Sequence, residues 1–92
     1  DKVGQIYEGI ISGVTNWGIY VELPNTIEGM VALSQMDDDY YEFDEKKMLV
    51  FGKRTKKSYR LGDKVVVSVA KVDRMMGTID FVFEEENEDF QE

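Results

Sequence analysis

Glu8-Gly9-Ile10-Ile11-Ser12-Gly13-Val14-Thr15-Asn16-Trp17-Gly18-Ile19-Tyr20-Val21-Glu22-Leu23, followed by Ile27-Glu28-Gly29-Met30-Val31-Ala32-Leu33-Ser34, is the stretch on which the fold turns. Its apolar residues are mostly β-branched or aromatic, and glycines interrupt it, which is strand chemistry. Val3 to Val14 reads as a first strand, in which Gly9 and Gly13 mark a bulge or tight bend. Thr15-Asn16 supplies a short turn and Trp17 to Leu23 a second strand. The only proline, Pro24, sits with Asn25 in the next turn, where no ladder N–H is needed. Glu28 to Leu33 forms a third strand.

Further along, Val65 to Val72 is a fourth strand opened by Gly62-Asp63. Met76-Gly77 turns the chain into Thr78 to Phe83, where Ile79, Phe81 and Phe83 alternate with their neighbours as in a half-buried strand. Five strands with short turns and one long connection predict an all-β, five-stranded oligonucleotide-binding (OB) barrel. The long connection runs from Gln35 to Leu61. Tyr40 to Phe43 and Met48 to Phe51 read as extended segments, so a hairpin insertion over 35–61 is expected, with a helix as the competing reading. Asp37-Asp38-Asp39 suits a turn or helix cap better than a metal site, because adjacent carboxylates point different ways. Tyr40, Tyr41, Phe43, Phe51 and Tyr59 are expected to pack the insertion onto the barrel. Residues 84–92, six of the nine acidic, read as a disordered tail.

Ninety-two residues make one domain, and the chain opens on Asp1 rather than Met, so a piece of a longer protein is expected. No apolar run approaches the roughly 20 residues of a membrane span, and no signal peptide is visible. The absence of Cys suits a cytoplasmic protein, and a monomer with no membrane partner is expected. With neither His nor Cys, an ordinary zinc site, a Ser-His-Asp triad and a thiol nucleophile are excluded within this chain. No convergent carboxylate cluster supports a metal-dependent nuclease. The domain alone is therefore expected to be neither an enzyme nor a cofactor binder.

The net charge of −8 argues against a polyanion partner until its distribution is read. Residues 1–45 hold one basic and ten acidic side chains, residues 46–74 ten basic and two acidic, and residues 75–92 no basic and seven acidic. A local field of one sign can steer a polyanion whatever the total. Lys53, Arg54, Lys56, Lys57 and Arg60 are accordingly candidates for electrostatic contact with RNA or with a neighbouring domain. Lys64, Lys71 and Arg74 flank the fourth strand and are candidate phosphate contacts, with solvated rim charge as the alternative.

Trp17 and Tyr20 are three apart, so a flat strand would point them to opposite faces. A bend or bulge at Gly18 would put Trp17 beside an outward Tyr20 while Ile19 and Val21 face the core. Small barrels fill their interior with smaller side chains, which favours the surface reading over Trp17 as an end plug. Two exposed rings are a natural platform for unpaired bases.

These residues, taken together, resemble a known family. Gly4-x-Ile6-x-x-Gly9-x-Ile11, Trp17-Gly18-x-Tyr20-Val21, Glu28-Gly29-x-Val31 with Ser34, then Gly62-Asp63 and Val69-x-Lys71-Val72-Asp73 resemble an S1 RNA-binding domain over residues 3 to 83. The insertion, with Asp38 to Glu45, Gly52-x-Arg54-Thr55 and Tyr59 to Asp63, is similar to that of the C-terminal S1 domain of bacterial ribonuclease R enzymes. The resemblance implies a module that holds and guides single-stranded RNA for a magnesium-dependent 3′-to-5′ exoribonuclease. The metal and the catalytic residues would lie in another domain of the parent, and the parent's other domains would be partners. Carried over by position, the stacking pair is Trp17 and Tyr20, and the family's Asp is Asp73. Ala32 stands where the family has His, and Thr78 where it has Arg, so Lys71 or Arg74 would supply the missing cation. A protein-docking module is the competing class, as is an S1 domain of another RNA-processing or translation protein.

Overall fold

The computed structural model describes residues 3–84. In chain order the strands are β1 (Ile6–Val14), β2 (Gly18–Glu22), β3 (Glu28–Ala32), β4 (Tyr41–Asp44), β5 (Leu49–Gly52), β6 (Ser58–Arg60), β7 (Lys64–Asp73) and β8 (Thr78–Phe83). A single 3₁₀ turn, Leu33–Gln35, follows β3. Five of the strands close a barrel in the order β1-β2-β3-β8-β7, the architecture expected from the sequence.

Strand β1 is long enough to serve two walls. Its first half pairs with β7, Ile6 opposite Ser68 and Ile10 opposite Lys64, and its second half with β2, Val14 opposite Ile19. A register shift between Ile11 and Gly13 bends it from one partner to the other, as expected of a bulge at a barrel corner. A second shift, between Val69 and Lys71, bends β7 in the same way. Closure comes from β3 and β8, which run parallel with Met30 opposite Asp80.

Alternation along these strands sends Ile11, Ile19, Val21, Val31, Val67 and Phe81 inward, all essentially removed from water. The interior is thus filled by β-branched side chains around one large ring. Gly29 makes room for that ring, since a Cβ there would come within 2.7 Å of both Phe81 and the Ile79 carbonyl.

The insertion departs from a hairpin. Strands β4 and β5 form the expected antiparallel pair, but Ser58–Arg60 adds a third strand, so β4-β5-β6 is a small sheet of its own. Its Val50 is fully buried and joins the barrel's core cluster. The Tyr59 ring stacks on Phe83 with centroids 4.6 Å apart and planes 5° from parallel, and Tyr41 tilts against Tyr59 at 6.1 Å. These rings dock the sheet, as the sequence suggested for Tyr41 and Tyr59. Tyr40 does not take part, because it is 77% exposed. Burial, the hydrogen bond Tyr41 donates to the Asp38 carboxylate, and neighbouring Tyr59 together push the Tyr41 phenol above its ordinary range. The acidic tail beyond Glu84 lies outside the described residues; Glu84 itself donates its N–H to the Val66 carbonyl.

Candidate nucleic-acid interface

Thr15 builds the turn that presents Trp17. Its hydroxyl donates to the Gly18 carbonyl at 2.8 Å and accepts from the N–H groups of Trp17 and Gly18 at 3.2 and 2.9 Å. One donor and two lone pairs are thereby all used. The Trp17 carbonyl accepts from the Leu33 N–H at 3.0 Å, which ties the turn to the end of β3. Trp17 consequently lies before β2 rather than in it, and of the expected bend or bulge it is a bend, at Asn16 and Trp17, that re-aims it. Within β2, Ile19 and Val21 point inward and Tyr20 outward.

The result is an exposed aromatic pair. Trp17 is 59% exposed, and its indole N–H donates to the Tyr20 hydroxyl at 3.2 Å. That bond joins the rings through their polar edges. Tyr20 rests over Gly13 of β1, where a Cβ would sit 3.6 Å from the phenol ring.

Register extends the site sideways. Tyr20 stands opposite Met30, Met30 opposite Asp80, and Asp80 opposite Lys71. Since neighbouring strands lie about 4.8 Å apart, these four outward positions form one row of roughly 14 Å along the curved wall. The structure thus brings Lys71 into line with the aromatics. Sequence reasoning missed Met30 and Asp80, because their place in the row depends on the parallel closure of the barrel.

Asp73 and Arg74 lie two and three residues beyond Lys71, where β7 ends and the turn to β8 begins. The Asp73 carboxylate accepts from the Met76 N–H at 3.0 Å and its carbonyl from the Gly77 N–H at 2.8 Å, so it ties the turn. Arg74 is exposed there, beside Met75 and Met76, both open to solvent. Lys64 is exposed on the far side, opposite Ile10. It borders a cleft of about 460 Å³ between the insertion and the barrel, with Lys57, Asp37, Asp38 and Glu84 also in its lining. Lys64 is therefore not brought to the aromatic row.

The basic segment proves largely internally satisfied. Lys53 pairs with Glu42 at 2.8 Å, and Lys57 with Asp38 at 3.3 Å. The hydrogen bond and charge of Glu42 raise the Lys53 pKa. The Arg54 guanidinium donates to the Asp38 carbonyl at 2.7 Å. Lys56 and Arg60 remain exposed. A linear charge count could not show that Asp38 and Glu42 fold back onto these cations.

Asp39 organises the loop that carries them, so the expected cap is a loop cap and no helix starts there. Its carboxylate accepts from the Thr55 hydroxyl and N–H, both at 2.7 Å, and from the N–H groups of Tyr40 and Arg54. Burial acts to raise its pKa, but these donors outweigh it and hold the carboxyl well below the usual carboxylate range. A pKa depressed on folding gives stability that is present above the unfolded value, about 4, and is lost as pH falls below it. The amide signals of Arg54 and Thr55 are therefore expected to stay constant from pH 8 to 5 in NMR titrations, and Asp39→Asn to shift both. Movement of those signals with a midpoint above pH 5 would contradict this assignment.

Comparison with known proteins agrees with the geometry. The family model described as the S1 RNA binding domain matches residues 1–82. Ribonuclease R 1 of Lactococcus lactis is 41% identical over 83 residues, which cover 90% of this chain and 10% of the relative. Ribonuclease R of Escherichia coli is 42% identical over 82 residues, 88% of this chain and 10% of the relative. Ribonuclease R of Mycoplasma genitalium, solved both without ligand and with ribose-methylated single-stranded RNA, superposes with a TM-score of 0.82 at 25% identity, covering 89% of this chain and 13% of that one. The chain spans about a tenth of the length of the curated relatives it matches. With the barrel, the aromatic pair and the family model in agreement, this chain belongs to the S1 RNA binding domain family.

Proposed function

We propose that this domain binds single-stranded RNA on the outer face of β2 and β3 and so helps hold and guide RNA for a 3′-to-5′ hydrolytic exoribonuclease of the ribonuclease R kind. The observation that carries the reading is the hydrogen-bonded, solvent-facing pair Trp17 and Tyr20. In OB barrels the face of strands two and three and the loops beside it are the usual oligonucleotide surface, and base–aromatic stacking favours strands whose base faces are open. The named relatives and the RNA-bound neighbour support it further. Hydrolysis, and the magnesium it needs, belong in this reading to another domain of the parent protein. Among the described residues no group of three or more acidic side chains could hold a metal ion. A cytoplasmic, monomeric parent fits an enzyme that meets RNA there.

The lone tryptophan is its own reporter. Titration with a short oligoribonucleotide is expected to quench Trp17 saturably, more weakly as salt rises and more weakly in Tyr20→Ala. An unchanged spectrum at high oligonucleotide concentration would transfer the function to protein docking, which deletion of residues 41–60 would then test.

A further inference from the structure

We infer that Asp80 makes this face selective for guanine. The inference rests on the RNA-binding reading above. Asp80 occupies the middle of the row Tyr20, Met30, Asp80, Lys71, two strands from the stacking ring and one from the cation. It is exposed, while its neighbour Phe81 is buried, so its carboxylate stands on the outer face. Among the described residues its side chain has neither a hydrogen bond nor an ion pair, and Lys71 opposite does not reach it within salt-bridge distance. Asp73, by contrast, is occupied with the Met76 N–H.

An ionised carboxylate only accepts hydrogen bonds. In the centre of a polyanion-binding face it repels phosphate, so its favourable partner is a donor edge of a base. The Watson–Crick edge of guanine offers N1–H and N2–H₂ side by side, which matches both carboxylate oxygens. Adenine and cytosine each set one amino donor beside a ring-nitrogen acceptor, and uracil flanks its single N–H with two carbonyls. Three of the four bases therefore bring an acceptor toward Asp80, and guanine brings two donors.

The surroundings fit a purine. Tyr20 and Asp80 are two strand spacings apart, about 10 Å, a span that a base resting on Met30 can bridge. Met30 itself lies across Gly18, where a Cβ would come within 2.8 Å of the Met30 Cγ, so its thioether covers the backbone next to Trp17 and offers a base an apolar contact. Lys71, one strand further on, is placed for a phosphate flanking that base.

The test compares the pentamers UUGUU, UUIUU, UUAUU, UUCUU and UUUUU on the 92-residue chain and on Asp80→Asn. Affinity is measured by anisotropy of 5′-labelled RNA, and NMR fingerprints check that the variant is folded. The wild-type chain is expected to bind UUGUU about fivefold to tenfold more tightly than UUUUU, the lower part of the range for bidentate base recognition. Inosine, which lacks the N2 amino group, should fall between. In Asp80→Asn the guanine preference should shrink to within twofold while UUUUU binding is kept or improved. Equal affinity for all five pentamers, or a guanine preference that survives Asp80→Asn, overturns the inference and leaves RNA binding intact. Failure of every pentamer to bind the wild-type chain overturns both readings.

Discussion

Phe81→Ala is expected to leave the barrel close to its limit of stability, with the thermal midpoint lowered by on the order of 12–40 °C in circular dichroism melts. Phe81 is 1% exposed and is the largest fully buried side chain among the described residues. Truncating a buried Phe typically costs about 3–5 kcal/mol, because the lost transfer energy is joined by a cavity that the surroundings only partly fill. A 92-residue domain has roughly 5–14 kcal/mol in total, and small domains sit toward the low end. Collapse into the cavity is also limited here. Gly29 packs against the ring from β3, with no side chain to move inward, and the two strands are tied together at Met30 and Asp80. A midpoint within 5 °C of wild type would show that the barrel relaxes around the loss and that its core is less close-packed than its burial implies.

Trp17→Ala is expected to weaken RNA binding roughly 5- to 150-fold while the fold stays intact. One base stacked on an aromatic ring is worth about 1–3 kcal/mol, and each 1.4 kcal/mol is tenfold in affinity. The ring is more than half exposed, so little burial is lost with it. What the structure loses is the bond to the Tyr20 hydroxyl, which leaves the phenol free to turn. Because the variant has no tryptophan, labelled RNA followed by anisotropy is the measurement, with Trp17→Phe as the partial rescue. Tyr20→Phe separates ring from hydroxyl and should bind within about threefold of wild type, since its stacking surface is kept. Wild-type affinity in Trp17→Ala would place the RNA elsewhere on the barrel.

The five barrel strands were legible because β-branched and aromatic residues concentrate in them, alternating clearly in the last, and because their turns carry Gly, Pro, Asn and Asp. Ile19 and Val21 inward with Tyr20 outward followed from period two alone. The presentation of Trp17 was legible in outcome and not in cause. The turn depends on one hydroxyl serving three backbone groups, and a Thr before Asn has no unique reading. Strand β6 was missed because Ser58–Arg60 is too short to show alternation and is a strand only through its pairing with β5. Tyr40 was misplaced because adjacent residues on a strand entry face opposite ways, and the sequence did not say which tyrosine turns inward. The basic segment looked like a free positive surface because Asp38 and Glu42 lie in a different run and meet it only in space. Met30 and Asp80 became neighbours through a parallel pairing between residues fifty apart in the chain, which no local pattern encodes.

That same pairing gives the barrel a seam. Every other wall joins its strands by an antiparallel ladder, whereas β3 and β8 are registered through Met30 and Asp80. The row that would meet RNA crosses the molecule at this seam, so a molecule that opens there loses its row. A ligand that binds only the closed form adds its own free energy to closure, about 2.7 kcal/mol at a hundred times its dissociation constant. Hydrogen exchange should report this as a slowing of roughly a hundredfold at the amides of Glu28–Ala32 and Thr78–Phe83 on RNA saturation, and unaltered rates there would mean that the seam does not open on its own. RNA would then act as the clasp of the very barrel that holds it.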